Sequence, residues 1–274
     1  MDLNKIKEIK QHIKKVYSTY ARPFVIGFSG GKDSTATLQM VWEAIKEIPQ
    51  KDRTNDIYVI CTDTLVETPY ILTYIDDTLS KISKSAKSQN LPISVHKLTP
   101  LLEKTFWVNL IGKGYPAPSQ QFRWCTERLK INPVDRFIEE QVSKSKEVTV
   151  VLGARSAESS SRQQVLSKTK RDALGLSKHP TLPEAYVYTP IENLTTDEVW
   201  TYLLSNKCVW GGNNRDLAAI YQNADDGECP MVVDKSTPSC GNSRFGCWVC
   251  TLVKKDTTMQ NLIDSGEEWM TPLF

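Results

Sequence analysis

The sequence predicts an α/β fold in which a mostly parallel sheet carries helices on both faces. Short β-branched runs alternate with helical segments along the chain, which is typical of a doubly wound sheet. The run 57–61, Ile-Tyr-Val-Ile-Cys, is apolar throughout, as expected of a parallel strand buried on both faces. The apolar run 23–28 breaks directly into a glycine turn and a helix, so this turn is the first candidate for a ligand site.

The other elements follow from the same periodicities. Amphipathic spacing predicts helices over 3–20, 34–47 and 68–90, and a helix that opens near Thr196. Further strands are expected around Ile93 and Val95 and over 147–152. The glycine- and proline-containing segment 112–118 is expected to form a flexible loop.

The glycine turn reads Ser-Gly-Gly-Lys-Asp-Ser over 29–34. Backbone N–H groups of such a turn and the positive end of the following helix converge on one anion, so the turn predicts a phosphate-binding loop. Its spacing differs from G-x-x-x-x-G-K-[ST], which disfavours transfer of a terminal phosphate. An incidental glycine turn is the alternative. The nucleotide-binding candidates here are Ser29, Gly30, Gly31, Lys32, Asp33 and Ser34, with Lys32 and Asp33 also as catalytic candidates.

Polar residues follow two of the predicted strands. Asp63 and Thr64 follow 57–61, and Gly153 and Arg155 follow 147–152, with Arg162 beyond them. Ligands of open α/β sheets bind at the carboxyl ends of strands, and guanidinium groups suit phosphate oxygens. Asp63, Thr64, Gly153 and Arg155 are therefore predicted to bind nucleotide, and Arg155 and Arg162 to act in catalysis. A solvated strand-end aspartate and surface ion pairs are the alternatives.

Composition restricts the partners. Because 34 basic residues are matched by 32 acidic ones, the net charge of +2 gives no general argument for nucleic acid, and any DNA contact must use a local patch. No run approaches the length of a membrane span, and the charged amphipathic start differs from a secretory signal. We expect a cytoplasmic protein that does not bind a membrane.

Cysteines cluster near the C-terminus. In a cytosolic chain this favours metal or redox chemistry over disulfides. Four thiols with no nearby histidine would suit tetrahedral zinc or an iron–sulfur cluster, and spacing alone does not decide between them. Cys125 stands apart, but its basic neighbours favour a thiolate; an inert cysteine in an exposed basic helix start is the alternative. The clustered thiols are Cys229, Cys240, Cys247 and Cys250.

Several segments resemble known ones. The turn at 29–34 resembles the S-G-G-x-D-S PP-loop of the ATP pyrophosphatase superfamily, which holds the pyrophosphate of ATP. The segments 62–68, 155–162 and 190–202 are similar to further signatures of the phosphoadenylyl-sulfate reductase branch. This resemblance implies a Rossmann-like (adenine nucleotide alpha hydrolase-like) PP-loop domain over 1–205 that uses ATP and Mg²⁺. A cysteine-rich subdomain over 206–274 is expected to fold back toward the carboxyl ends of the strands.

The C-terminal third departs from the reductases, because their E-C-G-x-H tail is absent. The segments 123–130, 210–212, 227–230 and 240–250 look instead like the DndC-type component of DNA phosphorothioation. That resemblance implies an ATP-dependent sulfurtransferase with a 4Fe-4S cluster, which adenylates the DNA backbone phosphate and releases pyrophosphate so that sulfur replaces a non-bridging oxygen. A sulfonucleotide reductase and a non-catalytic nucleotide-binding iron–sulfur scaffold are the alternatives.

The same resemblance implies partners and cluster ligands. The partners are a cysteine desulfurase as sulfur donor, other phosphorothioation subunits that include an ATPase-like protein, and DNA as substrate. The ligands favoured are Cys125, Cys240, Cys247 and Cys250, with Cys229 as an alternative ligand or a sulfur-relay thiol.

Overall fold

A computed structural model of the protein describes residues 3–158, 170–222, 247–252, 257–264 and 266–273. The helices are α1 (Leu3–Thr19), α2 (Lys32–Lys46), α3 (Pro69–Ser88), α4 (Asn132–Ser145), α5 (Thr196–Ser205), α6 (Asn214–Gln222) and α7 (Thr257–Asp264). The strands are β1 (Phe24–Gly27), β2 (Ile57–Thr62), β3 (Ile93–Leu98), β4 (Val148–Val151), β5 (Ser177–Lys178) and β6 (Ala185–Tyr188).

The strands form one sheet in the order β3-β2-β1-β4-β6-β5. Neighbouring strands run parallel except the short edge strand β5, which pairs antiparallel with β6. At the centre, Ile26 of β1 lies opposite Val59 of β2 on one side and Val151 of β4 on the other. The carboxyl ends of β1, β2 and β4 therefore meet at one edge of the sheet.

Alternating residues of the strands face two apolar layers. Phe24 and Ile26 pack into the larger core, which holds the buried faces of α1, α2, α3, α5 and α6. Val25 points the other way and packs with Phe137 and Ile138 of α4. The predicted fold class, a mostly parallel Rossmann-like sheet with helices on both faces, is confirmed.

Element boundaries differ only slightly from those expected. The helix predicted to begin at 34 begins at Lys32 because Gly31 is in an extended conformation and the chain turns directly into the helix. The predicted loop at 112–118 is preceded by a π-helix, Val108–Gly112. The strand Ala185–Tyr188 was not expected and extends the sheet beyond β4.

The C-terminal part of the chain contacts the sheet edge in two ways. Trp210, Leu217 and Ile220 belong to the same core as α2. The backbone of Cys247 forms an antiparallel bridge with Glu67, in the segment that follows β2. A division into domains at 205 and 206, with a separate cysteine-rich subdomain, stays a prediction. No helix within the described ranges combines the length and apolar character needed to cross a membrane.

Candidate functional site

The glycine turn lies between β1 and α2 at the carboxyl edge of the sheet. Gly30 has a φ of +77°, a conformation that favours glycine. The Ser34 hydroxyl donates to the Gly31 carbonyl at 3.0 Å and accepts from the Ser29 N–H at 3.3 Å. The two serine hydroxyls lie 3.2 Å apart. The serines thus close the turn, and their contact with nucleotide phosphates stays a prediction.

The first turn of α2 carries the charged residues of the loop. Lys32 is only 2% exposed, and its Nζ lies 3.3 Å from Oδ2 of Asp33. Arg155, which is fully buried, donates from Nε to Oδ1 of Asp33 at 2.5 Å. Its Nη1 also donates to Thr196 Oγ1, at the start of α5, at 3.2 Å. The Asp33 carboxylate is thus held by two protein cations, and its part in catalysis stays a prediction.

Arg155 therefore ties the end of β4 to the starts of α2 and α5. Its buried position and its partners are those of a residue that fixes the loop. A contact between its guanidinium and a nucleotide phosphate stays a prediction. Arg162, the second predicted catalytic arginine, lies outside the described residues.

Gly153 explains how closely β4 approaches the loop. A Cβ atom at this position would lie 2.7 Å from the backbone C and O of Asp33 and 2.8 Å from the backbone N of Ser34. These are backbone atoms, so a side chain here would displace the start of α2. Gly153 thus positions the loop, and direct nucleotide binding by it stays a prediction.

The strand-end residues after β2 also lie at this edge. Asp63 accepts from the Leu65 N–H at 2.8 Å, and its other oxygen lies 3.0 Å from Lys97 Nζ. Thr64 is fully buried, and its hydroxyl oxygen lies 3.4 Å from the sulfur of Cys247. Both residues lie at the end of β2, as the sequence predicted, and these contacts join their side chains to protein groups.

Glu67 is a partly buried carboxylic acid beside this contact. It accepts a hydrogen bond from the Thr64 N–H at 2.9 Å. Burial raises the pKa of Glu67 to about 7, and the nearby charge of Lys130 and the hydrogen bond from Thr64 limit the rise. In the sequence, Glu67 stands out only as part of the segment 62–68, which resembles a family signature.

Three predicted cluster ligands lie in the described chain. Cys125 and Cys247 pack against one apolar cluster whose buried members include Phe106 and Trp124. The Cys250 N–H donates to the Cys247 carbonyl at 3.1 Å, which makes a tight turn at these two thiols. Cys125, Cys247 and Cys250 are all partly exposed, and none of the three forms a disulfide with another cysteine in the described ranges.

Ligation of a metal or a cluster by these three thiols stays a prediction. Within the described ranges, no three Cys, His, Asp or Glu side chains are arranged to hold a metal ion. The other two candidates, Cys240 and Cys229, lie outside the described residues. Partly exposed thiols from two distant segments against one apolar cluster have the donor chemistry that zinc or an iron–sulfur cluster requires. By contrast, burial raises the pKa of Cys61 to about 12, which makes that thiol unreactive.

Tyr221 of α6 is a site residue that the sequence analysis missed. Its hydroxyl accepts from the Lys32 N–H at 3.1 Å, and its ring centroid lies 5.4 Å from Lys32 Nζ. A Cβ atom on Gly31 would lie 3.0 Å from the same hydroxyl. An aromatic residue on an amphipathic helix looks like a core residue, so the sequence holds no signal for this role.

Together, the glycine turn, the buried cations and the open strand ends define a nucleotide-utilising α/β protein of the PP-loop type. Residues 23–252 match the family model of the phosphoadenosine phosphosulfate reductase domain. The chain belongs to that family.

Individual relatives are more distant. The uncharacterized protein MJ0066 of Methanocaldococcus jannaschii is 28% identical over 195 residues, which are 71% of this chain and 34% of that protein. The chain thus spans about a third of the length of this curated relative.

Two solved structures are similar to the chain. The phosphoadenylyl-sulfate reductase of Candida auris has a TM-score of 0.44 at 12% identity, covering 80% of this chain and 92% of its own. The U34-tRNA thiolase NcsA of Methanococcus maripaludis, solved with its [4Fe-4S] cluster, has a TM-score of 0.44 at 14% identity, covering 99% and 75%. Similarities of this size do not identify the substrate of this chain.

Proposed function

We propose that the protein is an ATP-dependent sulfurtransferase that adenylates a DNA backbone phosphate, so that sulfur then replaces a non-bridging oxygen. One observation carries the link between nucleotide and sulfur chemistry. The Thr64 hydroxyl lies 3.4 Å from the Cys247 sulfur, and Thr64 follows β2, the strand next to β1 and its glycine turn. Adjacent strands are about 4.8 Å apart, so the two groups share one edge of the sheet.

In this proposal the glycine turn holds the pyrophosphate part of ATP. Its backbone N–H groups and Lys32 balance the phosphate charge, and Arg155 holds Asp33 so that the turn keeps its shape. Mg²⁺ would be held mainly by phosphate oxygens, as is usual for this ion, and would supply further positive charge there. An oxygen of the DNA phosphate attacks the α-phosphorus, and the bond to pyrophosphate breaks. The same oxygen later leaves with AMP when the terminal sulfur of a cysteine persulfide attacks the DNA phosphorus. A second thiol then cleaves the S–S bond, which leaves the phosphorothioate and a disulfide.

The cysteine site supplies the sulfur side of the reaction. Cys125, Cys247 and Cys250, with Cys240 or Cys229, would hold an iron–sulfur cluster, which when bound would contribute thiolate-ligated iron for sulfur or electron transfer. Partly exposed thiols at a sheet edge are also accessible to a donor protein. We propose a cysteine desulfurase as that donor, an ATPase-like protein among further partners, and a cytoplasmic setting.

The products of ATP cleavage test the nucleotide half. With ATP labelled at the α-phosphate, the proposal predicts AMP and pyrophosphate; formation of ADP and phosphate would contradict it. Ser34→Ala removes the hydroxyl that closes the turn and should lower AMP formation by about tenfold or more. Ser88→Ala, at the end of α3, removes a similar hydroxyl-to-carbonyl hydrogen bond far along the chain and should change nothing.

A second candidate is a sulfonucleotide reductase. The family match over 23–252 favours it, whereas the missing E-C-G-x-H segment removes the cysteine on which those reductases rely. Sulfite release from adenylyl sulfate or its 3′-phosphate, in the presence of a thiol reductant, would support this candidate. Absence of sulfite together with AMP formation from ATP would support the sulfurtransferase.

A further inference from the structure

Six aromatic rings form a continuous array beside the cysteine site. Each ring contacts the next one, with centroids 5.1 to 6.2 Å apart. In order of contact, the array consists of Trp248, Trp107, Phe106, Trp124, Tyr115 and Phe122. Its members come from the segment after β3 and from the cysteine-bearing segment at 247–252, so the array joins two distant parts of the chain.

The array is buried in the middle and open at two of its rings. Phe106 and Trp124 are each 4% exposed, whereas Trp107 is 43% and Phe122 45% exposed. Near Trp107 in sequence, Leu102 and Ile111 are 78% and 75% exposed. Packing in a hydrophobic core explains why the two central rings are buried. It does not explain the two exposed rings, and exposed apolar groups that gather in one region mark binding surfaces.

Positive charge gathers in the same segment. Residues 101–131 contain five basic and two acidic residues, an excess of three in a chain whose total net charge is +2. The Arg128 guanidinium carbon lies 4.9 Å from the Tyr115 ring centroid, and its Nη2 donates to the Tyr115 hydroxyl at 2.8 Å. The basic residues are Lys104, Lys113, Arg123, Arg128 and Lys130, and the acidic ones Glu103 and Glu127.

The aromatic array lies next to two of the cysteines. Cys125 follows Trp124 directly, and both Cys125 and Cys247 pack on the cluster that contains Phe106 and Trp124. The open rings Trp107 and Phe122 contact Phe106 and Tyr115 of this cluster, so the surface adjoins the layer on which the two thiols pack. Exposed ring faces combined with basic side chains are the features by which proteins bind unpaired nucleic-acid strands, because bases stack on the rings and phosphates meet the cations.

We propose that residues 101–131, with Trp248, form a binding surface for an unpaired nucleic-acid strand. Bases stack on Trp107 and Phe122, and Lys104 and Lys113 contact the phosphates. The strand rather than the duplex is the ligand, because stacked pairs in a duplex hide the base faces that the rings need. That the bound strand is also the acceptor of sulfur rests on the function proposed above; the binding itself does not require ATP.

Fluorescence anisotropy tests the surface without nucleotide present. The probes are single-stranded DNA, RNA of matching sequence and duplex DNA, titrated with the full chain. We expect tighter binding of a single strand than of the duplex. Trp107→Leu should weaken binding by about fivefold or more, because it removes a ring face on which a base would stack. Trp107→Phe keeps a ring face and should stay within about twofold of the unchanged protein.

Matched variants control for charge and folding. Lys113→Gln should reduce the salt dependence of binding, whereas Lys144→Gln, an exposed lysine of α4, should not. Phe122→Leu repeats the ring test at the other open ring, and thermal unfolding checks that each variant is folded. DNA is the expected strand, because the function proposed above has DNA as its substrate, and tighter binding of RNA than of single-stranded DNA would contradict this choice.

Three outcomes would overturn the proposal. The first is equal strand binding by Trp107→Leu and Trp107→Phe, and the second is tighter binding of duplex DNA than of the single strand. The third is that Trp107→Leu loses a protein partner while its strand binding stays unchanged. AMP formation by the same variants keeps the two proposals apart. If the ring variants lose strand binding but cleave ATP normally, the result supports the binding surface. If Ser34→Ala binds the strand normally but forms little AMP, the surface is separate from the nucleotide site.

Discussion

The glycine turn and the cysteine site lie at one edge of the sheet but are built in different ways. The turn consists of six consecutive residues whose hydroxyls and backbone close on one another, and its charged groups are buried. The cysteine site joins segments that are far apart in the chain: Thr64 and Cys247 are 183 positions apart, and its thiols are partly exposed. A local motif fixes its own geometry, whereas a site made of distant segments takes its geometry from the fold.

The largest expected effect concerns the buried ion pair of the turn. Arg155→Met leaves Asp33 buried without its main partner and should lower the free energy of unfolding by about 3–5 kcal/mol. The control is Arg22→Met, which breaks a similar pair with the more exposed Glu147 and should cost about 1 kcal/mol. Urea unfolding measures both. Equal losses in the free energy of unfolding would mean that the buried pair at the turn stabilises the protein no more than the more exposed pair does.

The contact between β4 and the turn gives the next effect. Gly153→Ala places a Cβ 2.7 Å from the backbone of Asp33 and should destabilise the protein by about 1–3 kcal/mol through overpacking. ATP affinity, measured by calorimetry, should fall as the turn shifts. In Gly112→Ala the nearest atom is 3.8 Å away, so this control should bind ATP normally. Normal ATP binding by Gly153→Ala would show that the turn tolerates displacement.

Tyr221 sharpens the comparison because it brings a distant residue into the local motif. A nucleotide phosphate and the Tyr221 hydroxyl compete for the Lys32 N–H. Tyr221→Phe should therefore tighten ATP binding by about fivefold, which corresponds to one ordinary hydrogen bond. Tyr20→Phe removes a hydroxyl bound to Asp172 and should leave affinity unchanged. Weaker ATP binding by Tyr221→Phe would instead make the hydroxyl a phosphate donor.

The smallest effect concerns Asp135 of α4, which lies outside the glycine turn and the cysteine site. Its ionisation makes the stability of the protein depend on pH. Burial, aided by the charge of Glu139, raises the pKa of Asp135 to about 6. A carboxyl whose folded pKa is raised destabilises the protein above that pKa and ceases to do so as the pH falls through 6 toward its unfolded value. Asp135→Asn should thus raise the melting temperature at pH 7.5 and lose this advantage near pH 4.

Glu140, also on α4, is the control with the opposite sign. Its hydrogen bond with Lys144 lowers the pKa of Glu140, so the stability that this group contributes is present at neutral pH and is lost as the pH falls through the lowered folded pKa. Glu140→Gln should therefore not raise the melting temperature at pH 7.5. A rise there as large as that of Asp135→Asn would contradict this explanation.

The difference between the two regions also explains what the sequence could predict. The turn, α2 and the buried strands were predictable because hydrophobic period and glycine chemistry act over a few residues. β6 was missed since four residues between prolines and polar groups carry little periodic signal. Tyr221, Glu67 and the aromatic array were not identified because their roles arise from contacts between segments that only the fold brings together.

The central claim is that the turn activates a phosphate and the neighbouring thiols deliver sulfur to it. The most direct measurement counts phosphorothioate linkages in DNA by mass spectrometry, alongside AMP formed by the purified protein, for Ser34→Ala and Cys247→Ala. We expect Ser34→Ala to lower both products by about tenfold or more, and Cys247→Ala to keep AMP formation while losing the phosphorothioate. Phosphorothioate formation that stays undiminished in Ser34→Ala, or that persists in Cys247→Ala, would contradict the account.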